Sequence, residues 1–146
     1  KTAKELPYKT MSMDDIMKLS IQDISYPDTH LWLWTTNRLL HDAFHVLDAW
    51  GYRYLCTVTW IKPSGFGAWF ANTTQHLLMA YNSKCIFSLS KYRPTHVFAG
   101  SPKAHSQKPE AFYDYIENIS QGPRIELFAR NTRPGWISWG DEIIIQ

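Results

Sequence analysis

His30-Leu31-Trp32-Leu33-Trp34-Thr35, followed by a helical stripe and then by Tyr52 to Ile61, is the stretch that decides the fold class. The first run is compact and apolar, the pattern of a strand covered on both faces. Thr36 and Asn37 then offer N-caps to a helix whose apolar positions are Leu40, Ala43, Phe44, Leu47 and Trp50. Gly51 stands where such a helix stops. Tyr52 to Ile61 is rich in aromatic and β-branched residues and reads as a second strand. Strand, helix and strand over residues 30–61 make a βαβ unit, which predicts parallel pairing and a right-handed crossover.

Working outward, Ser12 opens a short helix, with Asp15 three residues on completing a capping-box pattern. Lys62 to Gly67 is a Pro/Gly loop, Gln75 to Tyr81 a third strand and Cys85 to Leu89 a fourth. His96 to Ala99 is a further short strand. Pro109 suits the first turn of a helix carrying Phe112, Tyr115, Ile116 and Ile119 on one stripe. Gly122-Pro123 ends that helix, and Arg124 to Phe128 is a last strand. The expectation is one α/β domain over residues 1–146 with a mostly parallel sheet.

Bulk properties fit that expectation. A chain of 146 residues suffices for one core. With 45% hydrophobic and 19% charged residues it belongs with packed rather than disordered proteins. No apolar run approaches the roughly 20 residues that cross a bilayer, so no membrane partner is expected and an intracellular, cytoplasmic protein is. Cys56 and Cys85 stand far apart inside apolar runs and read as buried thiols. The net charge of +2 is small, but basic residues crowd the second half, Lys84, Lys91, Arg93, Lys103, Lys108, Arg124, Arg130 and Arg133 among them. A basic face attracts phosphate, although scattered surface cations are ordinary.

Open α/β sheets bind ligands beyond the carboxyl ends of their strands. That rule selects Thr35-Thr36-Asn37, Lys62 through Phe70, and Phe128 through Arg133. Competing motifs fail. Gly65-Phe66-Gly67 lacks the third glycine of a dinucleotide fingerprint and the Gly-Lys-Ser/Thr of a P-loop. This counts against a nucleotide-binding oxidoreductase. His41 and His45 sit at i and i+4, but Asp42 replaces the Glu of a zinc-protease motif and no further ligand is evident, so no metal is expected.

Five segments, in order, carry a resemblance: Tyr8-Lys9-Thr10-Met11-Ser12, His30-Leu31-Trp32-Leu33-Trp34, Thr59-Trp60-Ile61-Lys62-Pro63, His105-Ser106-Gln107-Lys108-Pro109, and Glu126-Leu127-Phe128-Ala129-Arg130 through Pro134-Gly135-Trp136 to Gly140-Asp141-Glu142. Together they resemble the MT-A70 family of adenine-N6 methyltransferases. The resemblance implies a Rossmann-like class I fold in permuted order, S-adenosylmethionine as cofactor, and a nucleic acid as substrate; a compact chain without evident RNA-binding extensions leans that expectation toward DNA over RNA. It implies that Lys108 contacts the cofactor carboxylate, that Arg130, Asn131 and Thr132 line the ribose side, and that Asp141 and Glu142 lie near the adenine or ribose. Lys62, Pro63, Gly65, Gly67 and Trp69 would face the substrate.

Adenine N6 is a poor nucleophile because its lone pair is delocalised into the ring. The family answers this with a D-P-P-W segment, whose carboxylate and carbonyl accept the amino hydrogens while an aromatic ring stacks on the unstacked base. No D-P-P-W occurs here. Lys1 to Leu6 looks like the loop that follows it, so the catalytic strand is expected just upstream of Lys1 and the catalytic residues are not assigned. Gln75, followed by His76, stands where many relatives carry Glu. A non-catalytic subunit that binds a homologous catalytic partner or nucleic acid is the alternative reading.

Overall fold

A run of apolar residues has to find cover on both faces, and in the computed structural model the strand that does so is the third. The structure describes residues 9–87, 93–100, 107–141 and 143. The chain divides into two compact units, Lys1–Ile86 with Pro94–Ser101, and Phe87–Arg93 with Pro102–Gln146.

The first unit opens with α1 (Met13–Met17). Its N-cap Ser12 accepts from the Asp15 amide at 3.1 Å and donates to the Asp15 carboxylate at 2.8 Å. A 3-10 turn (Ile21–Ile24) leads to β1 (His30–Thr36), and a second one (Asn37–Leu39) leads into α2 (Leu40–Ala49). Neither Thr36 nor Leu39 caps that entry with its side chain. Ala43, Val46 and Leu47 are the buried face of α2, and Trp50 closes it, its indole donating to the Ile16 carbonyl at 2.9 Å. Then come β2 (Arg53–Ile61), β3 (Thr74–Tyr81) and β4 (His96–Phe98). Leu77, Leu78, Met79 and Ala80 of β3 are all buried, as a strand covered on both faces requires.

The strand order is β1-β3-β2-β4. β3 pairs antiparallel with both β1 and β2, and only the short β2–β4 ladder is parallel. This corrects the expectation of a mostly parallel sheet. β1 and β2 do run in the same direction, as a βαβ unit demands, but they do not touch in the sheet. The chain returns from β2 through residues 62–73 and lays β3 in the slot between them. An apolar β3 gains a partner on each edge there, which an outer position would deny it. Cys85, Ile86 and Phe87, expected to open a fourth strand, lie in no strand; Ser88 and Leu89 fall outside the described residues.

The second unit holds α3 (Glu110–Ile119), β5 (Arg124–Leu127) and β6 (Trp136–Trp139), the last two pairing in parallel. Phe112, Ile116 and Ile119 form the buried stripe of α3, as the helical spacing predicts. Polar bonds fasten the helix to the ribbon. Tyr113 donates to Glu126 at 2.9 Å, the Trp136 indole to Glu117 at 2.7 Å, and Arg124 to the Ser120 carbonyl at 2.7 Å. Arg133 pairs with Glu110 and lies over the Tyr113 ring, 4.1 Å from its centroid. Burial and then the Glu126 contact hold the Tyr113 hydroxyl far above its ordinary pKa. The Trp136 bond is the main cause that lowers the pKa of Glu117.

Candidate functional site

Because β1 and β2 both oppose β3, their carboxyl ends meet the same end of it. Gln75 lies across from Thr36 in one ladder and from Trp60 in the other. The space beyond these ends is a cleft of about 220 Å³. Thr36, Asn37 and Arg38 line it from the β1 side, and Lys62, Asn72, Thr74 and Gln75 from the β2–β3 side. Two of the three places selected by the strand-end rule, Thr35-Thr36-Asn37 and Lys62 through Phe70, thus contribute to one site.

A hydrogen-bonded chain sets the walls. Asn37 donates through Nδ2 to Asn72 Oδ1 at 3.3 Å and to Thr74 Oγ1 at 3.2 Å. Its Oδ1 is 2.6 Å from His76 Nε2, and His76 Nδ1 is 3.2 Å from Thr59 Oγ1. With the amide so oriented, Nε2 must carry the proton and Nδ1 must accept from the threonine. Burial lowers the His76 pKa, which keeps the neutral ring that this arrangement needs. Asn37 therefore braces the cleft instead of capping α2.

Asn72 also shapes the loop. Its backbone and side-chain nitrogens donate to the Phe66 carbonyl at 3.2 and 3.0 Å. A Cβ on Gly65 would strike the Asn72 carbonyl, and one on Gly67 the Phe70 carbonyl, so the loop closes this tightly only with glycine at both places. The outcome is a fixed loop holding Phe66, Trp69 and Phe70 in water, at 91%, 93% and 84% exposure. Of the residues expected to face substrate, Lys62 lines the cleft, Gly65 and Gly67 build the loop, Trp69 crowns it, and Pro63 is exposed outside the lining. Lys62 Nζ also stands 5.6 Å from the Trp60 ring centroid.

The residues expected to hold the cofactor belong to the second unit. β5 and β6 pair Leu127 with Trp139, so Phe128–Thr132 and Gly140–Asp141 leave the ribbon at one end. Phe128 turns there with a φ of 59°, a left-handed conformation that costs an aromatic residue about 1–2 kcal/mol. The Ala129 amide donates to the Trp139 carbonyl at 2.9 Å, and only glycine fits at 140, where a Cβ would meet the Ala129 carbonyl. This close approach brings the segments of Arg130 and Asp141 side by side. The Arg133–Glu110 pair ties the segment carrying Asn131 and Thr132 to the start of α3, two residues beyond Lys108. Lys108 and Arg130 are half-buried, while Asn131, Thr132 and Asp141 are exposed; Glu142 lies outside the described residues. A cation, an amide, a hydroxyl and a carboxylate around a strand end suit a ligand with a carboxylate and sugar hydroxyls.

The rest of the site was hidden from the sequence. Arg38, Asn72 and Thr74 belong to no motif, and their partners lie across the fold. His41 and His45 stack edge-on at 4.7 Å on the exposed side of α2, and no group of three metal-ligating side chains forms among the described residues.

A model of the MT-A70 family matches residues 1–142. The chain is 30% identical over 151 residues to the N(6)-adenosine-methyltransferase subunit METTL3 of Danio rerio, a match covering 95% of this chain and 26% of that protein. It is 29% identical over 151 residues to the N(6)-adenosine-methyltransferase catalytic subunit METTL3 of Homo sapiens, again over 95% and 26%. It is 27% identical over 139 residues to the type II methyltransferase M.MunI of a Mycoplasma species, over 93% of this chain and 60% of that one. The chain therefore spans about a quarter of the length of the METTL3 relatives it matches.

Proposed function

The chain belongs to the MT-A70 family, and from that membership we propose that it serves an S-adenosylmethionine-dependent methyltransferase acting on adenine N6 in nucleic acid. The observation that carries this reading is a family match running from residue 1 to residue 142. Its relatives include N(6)-adenosine-methyltransferases and a type II methyltransferase.

The cofactor supplies an electrophilic methyl group on a sulfonium, so the protein has to position it and needs no metal-bound nucleophile. In this reading Lys108 pairs with the cofactor carboxylate, Arg130, Asn131 and Thr132 flank the ribose, and Asp141, with Glu142, accepts from hydroxyl or adenine donors. The strand-end chemistry of the second unit fits such a group. Lys62, Pro63, Gly65, Gly67 and Trp69 serve the substrate, with the exposed Trp69 ring free to stack on an unpaired base. The fold is read as a permuted Rossmann-like methyltransferase forming a single functional domain over residues 1–146, and DNA is favoured mildly over RNA as substrate.

The test uses the complete natural polypeptide, with methyl transfer from labelled S-adenosylmethionine to adenine-containing DNA and matched RNA and identification of the product nucleoside. N6-methyladenine that disappears with Lys108→Ala, together with weakened cofactor binding, is the expected result. A second reading, a non-catalytic subunit beside a homologous enzyme, draws on Gln75, an amide rather than an acid in the cleft wall. It predicts no transfer by the chain alone and recovery of transfer only with a catalytic partner.

A further inference from the structure

The cleft beyond β1 and β2 has an electrostatic character that its place in the fold does not require. Two of its seven lining side chains, Arg38 and Lys62, are cations; the other five are hydroxyls and amides, and none is acidic. Neither cation takes part in an ion pair among the described residues. Arg38 is exposed and Lys62 half-buried, and the braced Asn37, Asn72 and Thr74 lie between them with their geometry already set. About 220 Å³ is below the roughly 300 Å³ at which small-molecule pockets begin. The cleft has room for a small group such as a phosphate and not for a whole nucleotide.

We propose that Arg38 and Lys62 form a seat for one backbone phosphate of a single nucleic-acid strand, with the threonine hydroxyls of the cleft donating to its oxygens. The inference rests on the nucleic-acid substrate proposed above and adds where that strand is gripped. A planar guanidinium and a mobile ammonium converging on one small space are the pair that phosphate oxygens favour. The loop decides in favour of a strand over free phosphate. Asn72 lines the cleft and at the same time fixes the loop carrying Phe66, Trp69 and Phe70, so a seated phosphate has hydrated aromatic rings beside it on the same loop. Cations that hold phosphates with aromatics that stack bases are the two parts of a single-strand path.

The experiment measures binding of fluorescent single-stranded DNA and RNA oligonucleotides to the complete natural protein, without methyl donor, across a salt series. Losing one phosphate contact lowers the salt slope by about 0.7, which at 0.1 M salt is about fivefold in affinity. Because both cations serve the same phosphate, the double variant is expected to show that loss of about fivefold, and Arg38→Gln and Lys62→Gln each a part of it. Lys62→Arg should restore most of the affinity. Arg53→Gln, at the opposite end of β2 and roughly 30 Å away at strand rise, should change nothing. Thermal unfolding of each variant checks that the fold survives. A neutral methylphosphonate walked along the strand should weaken the wild-type protein at one linkage, and that penalty should vanish in the double variant.

Unchanged affinity in a folded double variant would overturn the inference, as would no strand binding by the wild-type protein. Inorganic phosphate displacing the strand at millimolar levels would replace the strand with a free-phosphate site and also overturn it. These readings do not depend on transfer. A cleft that grips strands in a protein with no methyltransferase activity would sink the proposed function alone, and unchanged strand affinity beside active transfer would sink the phosphate seat alone.

Discussion

In the unit built on β3, four consecutive side chains, Leu77 to Ala80, are out of water, and Val58, Trp60 and Leu47 are buried in the same unit. In the unit built on α3 the helix buries three residues and is fastened to its ribbon by Tyr113–Glu126, Trp136–Glu117, Arg124–Ser120 and Arg133–Glu110. The first arrangement rests on apolar area, which is insensitive to direction and is strengthened, not screened, by salting-out salts. The second rests on oriented bonds, each worth little in net terms because water competes for the same groups. The difference matters for chemistry, since the cleft stands on the first kind of support and the expected cofactor residues on the second.

The contrast breaks most visibly at Leu78. Its side chain is fully buried in the central strand, so Leu78→Ala should cost about 3 kcal/mol in urea unfolding, and a loss below 1 kcal/mol would mean that the β3 core is looser than its burial states. A smaller effect is expected in the second unit. Trp136→Phe keeps the ring but removes the donor to Glu117, and should cost about 1 kcal/mol. A loss matching that of Leu78→Ala would show the polar fastening to be as strong as the core.

The mildest probe is pH. His30 and His76 of the first unit are both held below the ordinary value of 6.5, chiefly by burial. A depressed histidine resists protonation in the fold, so its contribution is complete above 6.5 and is lost as pH falls below it. Glu117 of the second unit is held below its ordinary 4.5, so its contribution is present above that value and lost only in more acid solution. Hydrogen exchange followed from pH 7 to pH 4 should therefore loosen β1–β3 amides before those of β5–β6. The reverse order would contradict the assignment.

The positions of β1, α2, β2, β3 and α3 were legible because periodicity is a local property and these runs are strong. Pairing was not. Nothing in Gln75 to Tyr81 states which neighbours it takes or in which direction, and the return through residues 62–73 put β3 between β1 and β2. β6 escaped notice because Trp136–Trp139 is short and follows Pro134-Gly135. The site divided in the same way. The strand-end rule selects Asn37 and Lys62 from sequence order, while the capping pattern reads Asn37 only as a helix cap. The bonds from Asn37 to Asn72, Thr74 and His76 join residues 35 or more positions apart, beyond any spacing rule.

Trp69, which crowns the glycine-closed loop, also makes the chain its own spectroscopic sensor. Trp50 and Trp60 are sealed at 5% and 3% exposure, whereas the Trp69 indole is at 93%. Its emission belongs at the red side of the tryptophan band, and iodide in solution should quench it before any other. Whatever settles on that loop will declare itself by a blue shift and by protection from the quencher, with no label attached.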